Sequence, residues 1–590
     1  MPSPDGSAEF SVGGRRAYDR RGAVRWVLSH LLRHPRLMAV FLGGSILASV
    51  FNSLIPGYTG RAFDQVLGGS DPQSALVEIA IALTVIVVVR AALDVAARYA
   101  IEFVGKRFER DAREELFISL LGKSQTFHNR QRVGDLMARA TNDVRQLNYM
   151  ISPGLDLVVD SMTALFVPFI FIAILDWRLL LVPCLFLVGF FIALRDYLRR
   201  LTPVSEEMRR EFGVLNAGLN EAVRGVEVIK ATGQEAQERT RFDGDARRNR
   251  DASVRQGIVQ AWYLPTLVLA VATAGALLHG LWLVRAGDLS IGGLVAYLGL
   301  VAQLSFPTNI SIFTFSMIQT GLASSRRILE LMREKTELDQ NAGGHSGEIT
   351  GQIEFDRVTF SYGGEPVIED LSFTAEPGQT VAIVGETGSG KSTLTKLVNR
   401  IYDVQSGRIL VDGVDVRDWD LDALRSQIST IEQDITLFSR SVAENIGFSL
   451  GQRADRAAVV EAARDAQAHG FIVELEKGYE TVIGERGVTL SGGQRQRLAI
   501  ARALLTSPRI LMLDDSTSAI DSATEDEIQQ AIHRILKGRT TLLITHRLSQ
   551  IRWADKVLLI RQGRLIDQGT HDELLARCDL YRRIFAHYEP

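Results

Sequence analysis

The 590-residue sequence predicts an α-helical membrane domain of six spans with long cytoplasmic helical extensions, followed by an α/β nucleotide-binding domain of the phosphate-loop class. Three observations carry that expectation: six apolar runs before residue 316, the string GETGSGKST at 385–393, and strand–helix alternation beyond about residue 340. The formal charge of −3 gives no general attraction to nucleic acid.

Before the first span stand Arg15, Arg16, Arg20, Arg21 and Arg25. Asp5, Glu9 and Asp19 argue against a transit peptide, and no apolar segment precedes residue 37 to act as a cleaved signal. Residues 26–32 are expected to form an amphipathic helix at the membrane surface.

The runs at 37–56, 77–93, 155–175, 179–194, 258–284 and 291–315 each approach or exceed the roughly 20 residues that cross hydrocarbon. Spans three and four are separated only by Asp176, Trp177 and Arg178. The long stretches between spans two and three and between four and five are rich in Arg and Lys. The three short connections carry Arg61, Arg178 and Arg285, each close to an aspartate. The positive-inside rule then puts both termini and the long stretches in the cytoplasm, with the second half of the chain. Cys184 and Cys578 cannot build a disulfide framework, which fits a reduced compartment.

Arg90, Asp94, Asp156 and Asp160 lie within or at the ends of spans, where ionisable groups are functional candidates. The residues leave a plainer reading open, in which Arg90 and Asp94 simply pair one helical turn apart and Asp156 and Asp160 sit near the cytoplasmic interface. Phe166, Phe169, Phe171, Phe190, Phe313 and Phe315 fit either packing or a cavity lining, and Pro168, Pro183, Pro265 and Pro307 are candidates for kinks.

The glycine-rich string lies between an apolar strand, 381–384, and a helical stretch, 394–401. That context puts phosphate at a helix N-terminus, cradled by the backbone of Gly385, Glu386, Thr387, Gly388, Ser389 and Gly390, with Thr393 closing the string. Lys391 is expected to reach the β and γ phosphates of ATP and Ser392 to offer its hydroxyl to Mg²⁺. A buried strand at 510–513 ends in Asp514, expected to hold the same metal through water.

With LSGGQ at 490–494 the chain resembles an ABC exporter half-transporter over essentially its whole length. The resemblance implies an ABC-type ATPase domain and the boundaries 1–36 for an N-terminal cytoplasmic segment, 37–325 for the membrane domain, 326–350 for a linker and 351–590 for the ATPase. In VTFSYGGEPVIEDLSF, Tyr362 matches the aromatic that stacks on adenine; Gln433 matches a glutamine that touches Mg²⁺. GERG at 484–487, SAID at 518–521 and His546 match the exporter-specific loop, the D-loop and the switch histidine. Residues 133–147 and 220–242 match the two long cytoplasmic extensions, whose short coupling helices press on the ATPase domains. One chain carries one set of spans and one ATPase, so the resemblance implies a second half-transporter subunit: Ser491, Gly492, Gly493 and Gln494 of one copy complete the ATP site on the other.

One position departs from the pattern. Where the family places a catalytic glutamate, this chain has Asp515, one methylene shorter. A general base must come within hydrogen-bond reach, roughly 2.6–3.2 Å, so turnover at this site is expected to be slow. Two arrangements follow: a heterodimer in which this chain is the degenerate half, the favoured one, or a homodimer that works with Asp515. The expected activity is ATP-driven export of a hydrophobic or amphipathic small molecule, lipid or peptide by alternating access, in contact with membrane lipid and without nucleic acid. A lipid flippase, an importer on the exporter scaffold and a non-transporting regulator are the alternatives; the six spans exclude a soluble ABC ATPase.

Overall fold

The structure is a computed structural model that describes residues 8–10, 18–68, 72–484, 490–514, 532, 536 and 538–585. Its contacts divide the chain into two compact units. One gathers Arg16–Phe117 and Gly134–Met332; the other gathers Met1–Arg15, Ile118–Val133 and Arg333–Pro590.

The first unit is helical. Helix α1 (Ala23–Leu31) buries Trp26, Val27, His30 and Leu31 and exposes Val24 and Leu28, as expected for a surface helix. Its inner face is also held by polar contacts, since Trp26 Nε1 and Arg20 Nε donate to the buried Glu115 carboxylate at 3.0 and 2.7 Å. Then come α2 (Pro35–Gly68) and α3 (Pro72–Leu121), which carries Glu115. After the short α4 (Gln125–Arg130) of the other unit, the first unit resumes with the long bent helix α5 (Val133–Leu175). Next are α6 (Leu181–Arg224), α7 (Val226–Thr232), α8 (Glu235–Ala261), α9 (Leu264–Ala286), α10 (Ile291–Ala302) and α11 (Ser305–Arg333).

Among the described residues, six helical stretches are long and apolar enough to cross a membrane, and each contains one expected span. The helices overshoot the apolar runs. The 50 residues of α3 measure about 75 Å at 1.5 Å per residue, against roughly 30 Å of hydrocarbon, so the charged extensions continue the same helices.

Three details differ from the expectation. The fifth and sixth runs are each interrupted, at Trp262 and Tyr263 and at Gln303 and Leu304. Pro183, Pro265 and Pro307 sit in the first turns of α6, α9 and α11, where a missing N–H leaves no helical bond broken; they begin helices rather than kink them. The sharpest departure from helical backbone lies at Ser152 (φ −126°, ψ 109°), because the ring of Pro153 disfavours the helical region for the residue before it. Phe190 packs with Leu165, Phe186, Ala272 and Leu304, with Phe169 alongside; Phe171 lies against a second cluster around Ile172 and Tyr297. Phe166, Phe313 and Phe315 are exposed.

Among the described residues, the second unit contains two sheets. Strands β1 (Ile353–Phe360) and β2 (Ile368–Ala375) lead to β3 (Thr380–Gly385), α12 (Lys391–Val398), β4 (Ser406–Val411) and β5 (Val414–Asp415). Helix α13 (Leu421–Ser426) and β6 (Ile428–Ile431) follow, and a helical region ends in α14 (Gly492–Leu505). Strands β7 (Ile510–Asp514), β8 (Thr540–Ile544), β9 (Lys556–Arg561) and β10 (Arg564–Gly569) complete the sheets. The antiparallel sheet runs β2-β1-β4-β5. The larger sheet runs β10-β9-β3-β8-β7-β6 and is parallel except at β10. Its central strands are buried on both faces, which is why 381–384 and 510–513 read as unbroken apolar runs.

The N-terminal residues Ala8, Glu9 and Phe10 belong to this unit. Gln340 N donates to Ala8 O at 2.8 Å, Glu9 N to Gly122 O at 3.0 Å, and Arg425 Nη1 to Glu9 Oε2 at 2.9 Å. The same guanidinium donates to the Asn399 and Arg400 carbonyls, just past the C-terminus of α12.

Candidate functional site

Parallel pairing fixes the site. Ile383 on β3 pairs with Ile544 on β8, Asp514 on β7 pairs with the same Ile544, and Ile431 on β6 pairs with Leu513. The C-terminal ends of four adjacent strands therefore share one edge, and from that edge leave Gly385, Asp514, His546 and Gln433. This is where ligands bind in open α/β sheets.

The loop after β3 fits a phosphate. A Cβ on Gly385 would stand 2.1 Å from the Ile560 carbonyl oxygen, so only glycine lets β3 turn here beside β9. Gly390 has φ +94°, and a Cβ there would meet Ile368 Cδ1 at 2.6 Å and Val367 O at 2.8 Å. The turn closes through Ser389 N to Glu386 O at 3.2 Å and Thr393 N to Gly390 O at 3.0 Å. Gly388 is also left-handed, and Thr387 lies between it and Glu386. Lys391 folds its ammonium over the loop and donates to the Gly385 and Glu386 carbonyls at 2.9 and 2.8 Å, so a cation already stands over the cradle. Ser389 Oγ is buried with no hydrogen-bond partner among the described residues, the mark of a polar group awaiting one. Ser392 opens α12 beside Lys391.

Tyr362 lies at the rim, half exposed, its hydroxyl 3.2 Å from Thr393 Oγ1. Phe360 and Tyr402 meet its ring at right angles, with centroids 4.9 and 5.2 Å away. A ring so wedged keeps its orientation and offers a face to a planar base. Asn129 of α4 donates to the Tyr402 hydroxyl at 2.8 Å, which ties the 118–133 segment to that aromatic group. Sequence reasoning did not single out Asn129 or Tyr402, because each matters only through a tertiary neighbour, and it placed Ser389 in the cradle by its backbone without a role for its hydroxyl.

Ser491 and Gln494 are engaged with each other. Ser491 Oγ accepts from Gln494 N at 3.2 Å and Gln494 Oε1 accepts from Ser491 N at 3.0 Å, a capping box at the start of α14; Gly492 and Gly493 form its first turn. Ser491 itself is exposed. Asp515, residues 485–487 of the GERG string and residues 518–521 lie outside the described residues.

In the membrane unit, Arg90 Nε and Asp94 Oδ2 stand 3.6 Å apart, so the simple pairing does form. Asp156 and Asp160 are one turn apart on α5, and Arg98 approaches Asp160 at 4.0 Å. Arg90, Asp94 and Asp160 line one cavity of about 280 Å³, together with Arg98, Asn52 and Gln303.

A family model described as the ABC transporter transmembrane region matches residues 38–308, and one described as ABC transporter matches residues 368–518. The chain belongs to the ABC transporter family. It is a multi-pass membrane protein whose ATPase domain hydrolyses ATP with Mg²⁺. Similar proteins include an "ATP-dependent lipid A-core flippase" of Pseudomonas fluorescens (strain Pf0-1), 38% identical over 479 residues that cover 81% of this chain and 80% of the relative. A protein of the same name from Aromatoleum aromaticum is 38% identical, over 81% of this chain and 79% of its own length. Among solved structures, a bacterial Atm1-family ABC exporter with ATP bound matches with TM-score 0.81 and 29% identity, over 94% of this ABC transporter and 99% of that chain.

Proposed function

We propose that this chain is one half of a dimeric ATP-driven translocator that moves an amphipathic, lipid-like substrate across the cytoplasmic membrane by alternating access, with the ATPase domain in the cytoplasm. The observation that carries it is the shared strand edge that brings Gly385, Asp514, His546 and Gln433 together in a chain that also carries six apolar helical stretches. The name shared by the curated relatives supports a lipid-like substrate. The domain division at 37–325, 326–350 and 351–590 belongs to the same proposal.

In this reading Gly385, Glu386, Thr387, Gly388, Ser389, Gly390 and Thr393 surround the phosphates, Lys391 leaves its two carbonyls to bind them, and Tyr362 stacks on the base. Ser392, Gln433 and Asp514 would hold Mg²⁺, which neutralises charge on the phosphate being transferred. Asp515 orients the water and His546 contacts the γ phosphate. Ser491, Gly492, Gly493 and Gln494 complete the site of the other chain. Nucleotide drives the cycle because it binds the closed dimer far better than the open one.

Asp515 favours a second, finer reading, in which the chain is the slow half of a heterodimer with a glutamate-bearing subunit. A self-paired complex of this chain that hydrolyses ATP briskly would remove it. The main reading is tested in proteoliposomes holding the purified complex: ATP is expected to move a fluorescent lipid between leaflets, and Lys391→Ala to abolish that movement. Lipid movement that continues without ATP, or in Lys391→Ala, contradicts it.

A further inference from the structure

The cavity within the membrane unit carries charges of both signs. Arg90, Asp94 and Arg98 project from α3, Asp160 from α5, Asn52 from α2, and Gln303 from the break before α11. Unpaired charges at membrane depth are costly, so such groups face one another or a polar ligand. Here the pairs form, but at long range. Arg90–Asp94 is 3.6 Å and Arg98–Asp160 is 4.0 Å, whereas Arg178 and Asp176, in the short connection between spans, meet at 2.7 Å. Charge-assisted hydrogen bonds sit near 2.7–2.9 Å, so both cavity pairs stop short of the full bond.

The side chains are not sealed by their neighbours: Arg90 and Asp94 keep 39% and 37% of their surface exposed, Arg98 keeps 67% and Asp160 29%. Gln303 is held from the α2 side, accepting from Ser53 Oγ at 3.1 Å and donating to the Asn52 carbonyl at 3.3 Å. It therefore holds a neutral part of the cavity lining in place. A volume near 280 Å³ holds a headgroup of roughly ten non-hydrogen atoms, at about 30 Å³ for each water-sized unit. It does not hold a whole lipid.

Two guanidiniums and two carboxylates cancel, and Asp156, one turn before Asp160, adds a negative charge nearby. A headgroup with only negative charges meets as much repulsion as attraction. We propose that this cavity binds the zwitterionic headgroup of an amphiphile, with an oxyanion such as a phosphate diester on Arg90 and Arg98 and a primary ammonium on Asp94 and Asp160. Planar guanidinium suits the oxyanion's paired oxygens, and each carboxylate accepts from the ammonium. The proposal rests on the reading of the chain as a translocator of amphiphiles and names the chemistry of its substrate.

The test is a binding titration of the full chain in detergent, without ATP, using short-chain phosphatidylethanolamine and short-chain phosphatidylglycerol of equal acyl length. The unmodified chain is expected to prefer the ethanolamine lipid by at least about tenfold, the scale of one charge-assisted hydrogen bond. Asp94→Asn with Asp160→Asn should erase or invert that ratio, and Arg90→Gln should weaken both lipids. If the double Asn variant does not fold, Asp160→Asn alone must still reduce the ratio while Asp160→Glu keeps it. A chain that binds the glycerol lipid as well or better, binds neither, or keeps its preference in the Asn variants overturns the proposal. Absence of ATP-driven lipid movement would instead strike the functional reading, and the headgroup ratio measured without ATP stays separate from it.

Discussion

At the residue scale the account depends on side chains whose spacing is dictated by ATP. Lys391 already donates to two loop carbonyls, so exchanging them for phosphate oxygens replaces neutral acceptors with charged ones. Replacing Asp515 with glutamate restores the missing methylene, and steady-state ATP turnover is expected to rise at least tenfold, within the roughly 10²–10⁴ that general-base help supplies. Unchanged slow turnover would show that the shortened side chain is not what limits the site. Tyr402→Phe deletes only the hydroxyl that accepts from Asn129, and the Michaelis constant for ATP is expected to rise while turnover at saturation holds. The loop glycines, Lys391 and Asp514 were legible in the sequence because phosphate chemistry fixes their order along the chain, and His546 only through the resemblance to ABC exporters. Asn129, Arg98 and Gln303 were not, since each is one ordinary polar residue until folding places it beside a partner.

At the scale of elements, hydropathy exposed the six spans, yet it could not mark the interruptions at Trp262 and Gln303, where both flanks remain apolar. The proline roles were likewise hidden, because a proline that begins a helix and one that bends it look alike in a string of letters. A second device is the turn at Asp412. Burial pushes its carboxyl up, but the Thr350 amide and hydroxyl and the Gln352 and Gly351 amides donate to it and outweigh that, leaving it below the usual carboxylate range. Because the folded value is the lower one, this stabilisation is complete above the ordinary carboxylate pKa, near 4, and is lost as pH falls through the folded value. Asp412→Asn is expected to destabilise the ATPase fold at neutral pH by about 1–2 kcal/mol, with the difference shrinking in acid, as followed by denaturant melts. The N-terminal clasp offers another check. A Cβ on Gly122 would lie 2.7 Å from the Phe10 carbonyl, so Gly122→Val should lower the thermal midpoint by overpacking worth about 1–3 kcal/mol. A chain lacking residues 2–10 should not show that added penalty.

At the scale of the whole molecule, one set of spans and one ATPase leave Ser491 and Gln494 capping each other on an exposed helix start, in the same unit as the phosphate cradle that needs a second wall. In the proposed function a second chain supplies that wall. Two defective copies should then repair each other: Lys391→Ala spoils the cradle of its own chain, Ser491→Ala spoils the wall it lends, and a complex holding both keeps one site intact. The decisive measurement is ATP turnover by differently tagged Lys391→Ala and Ser491→Ala chains, purified together through both tags. Turnover that exceeds either variant paired with itself is the predicted result; complexes that contain both variants and remain as inactive as each alone would contradict the account.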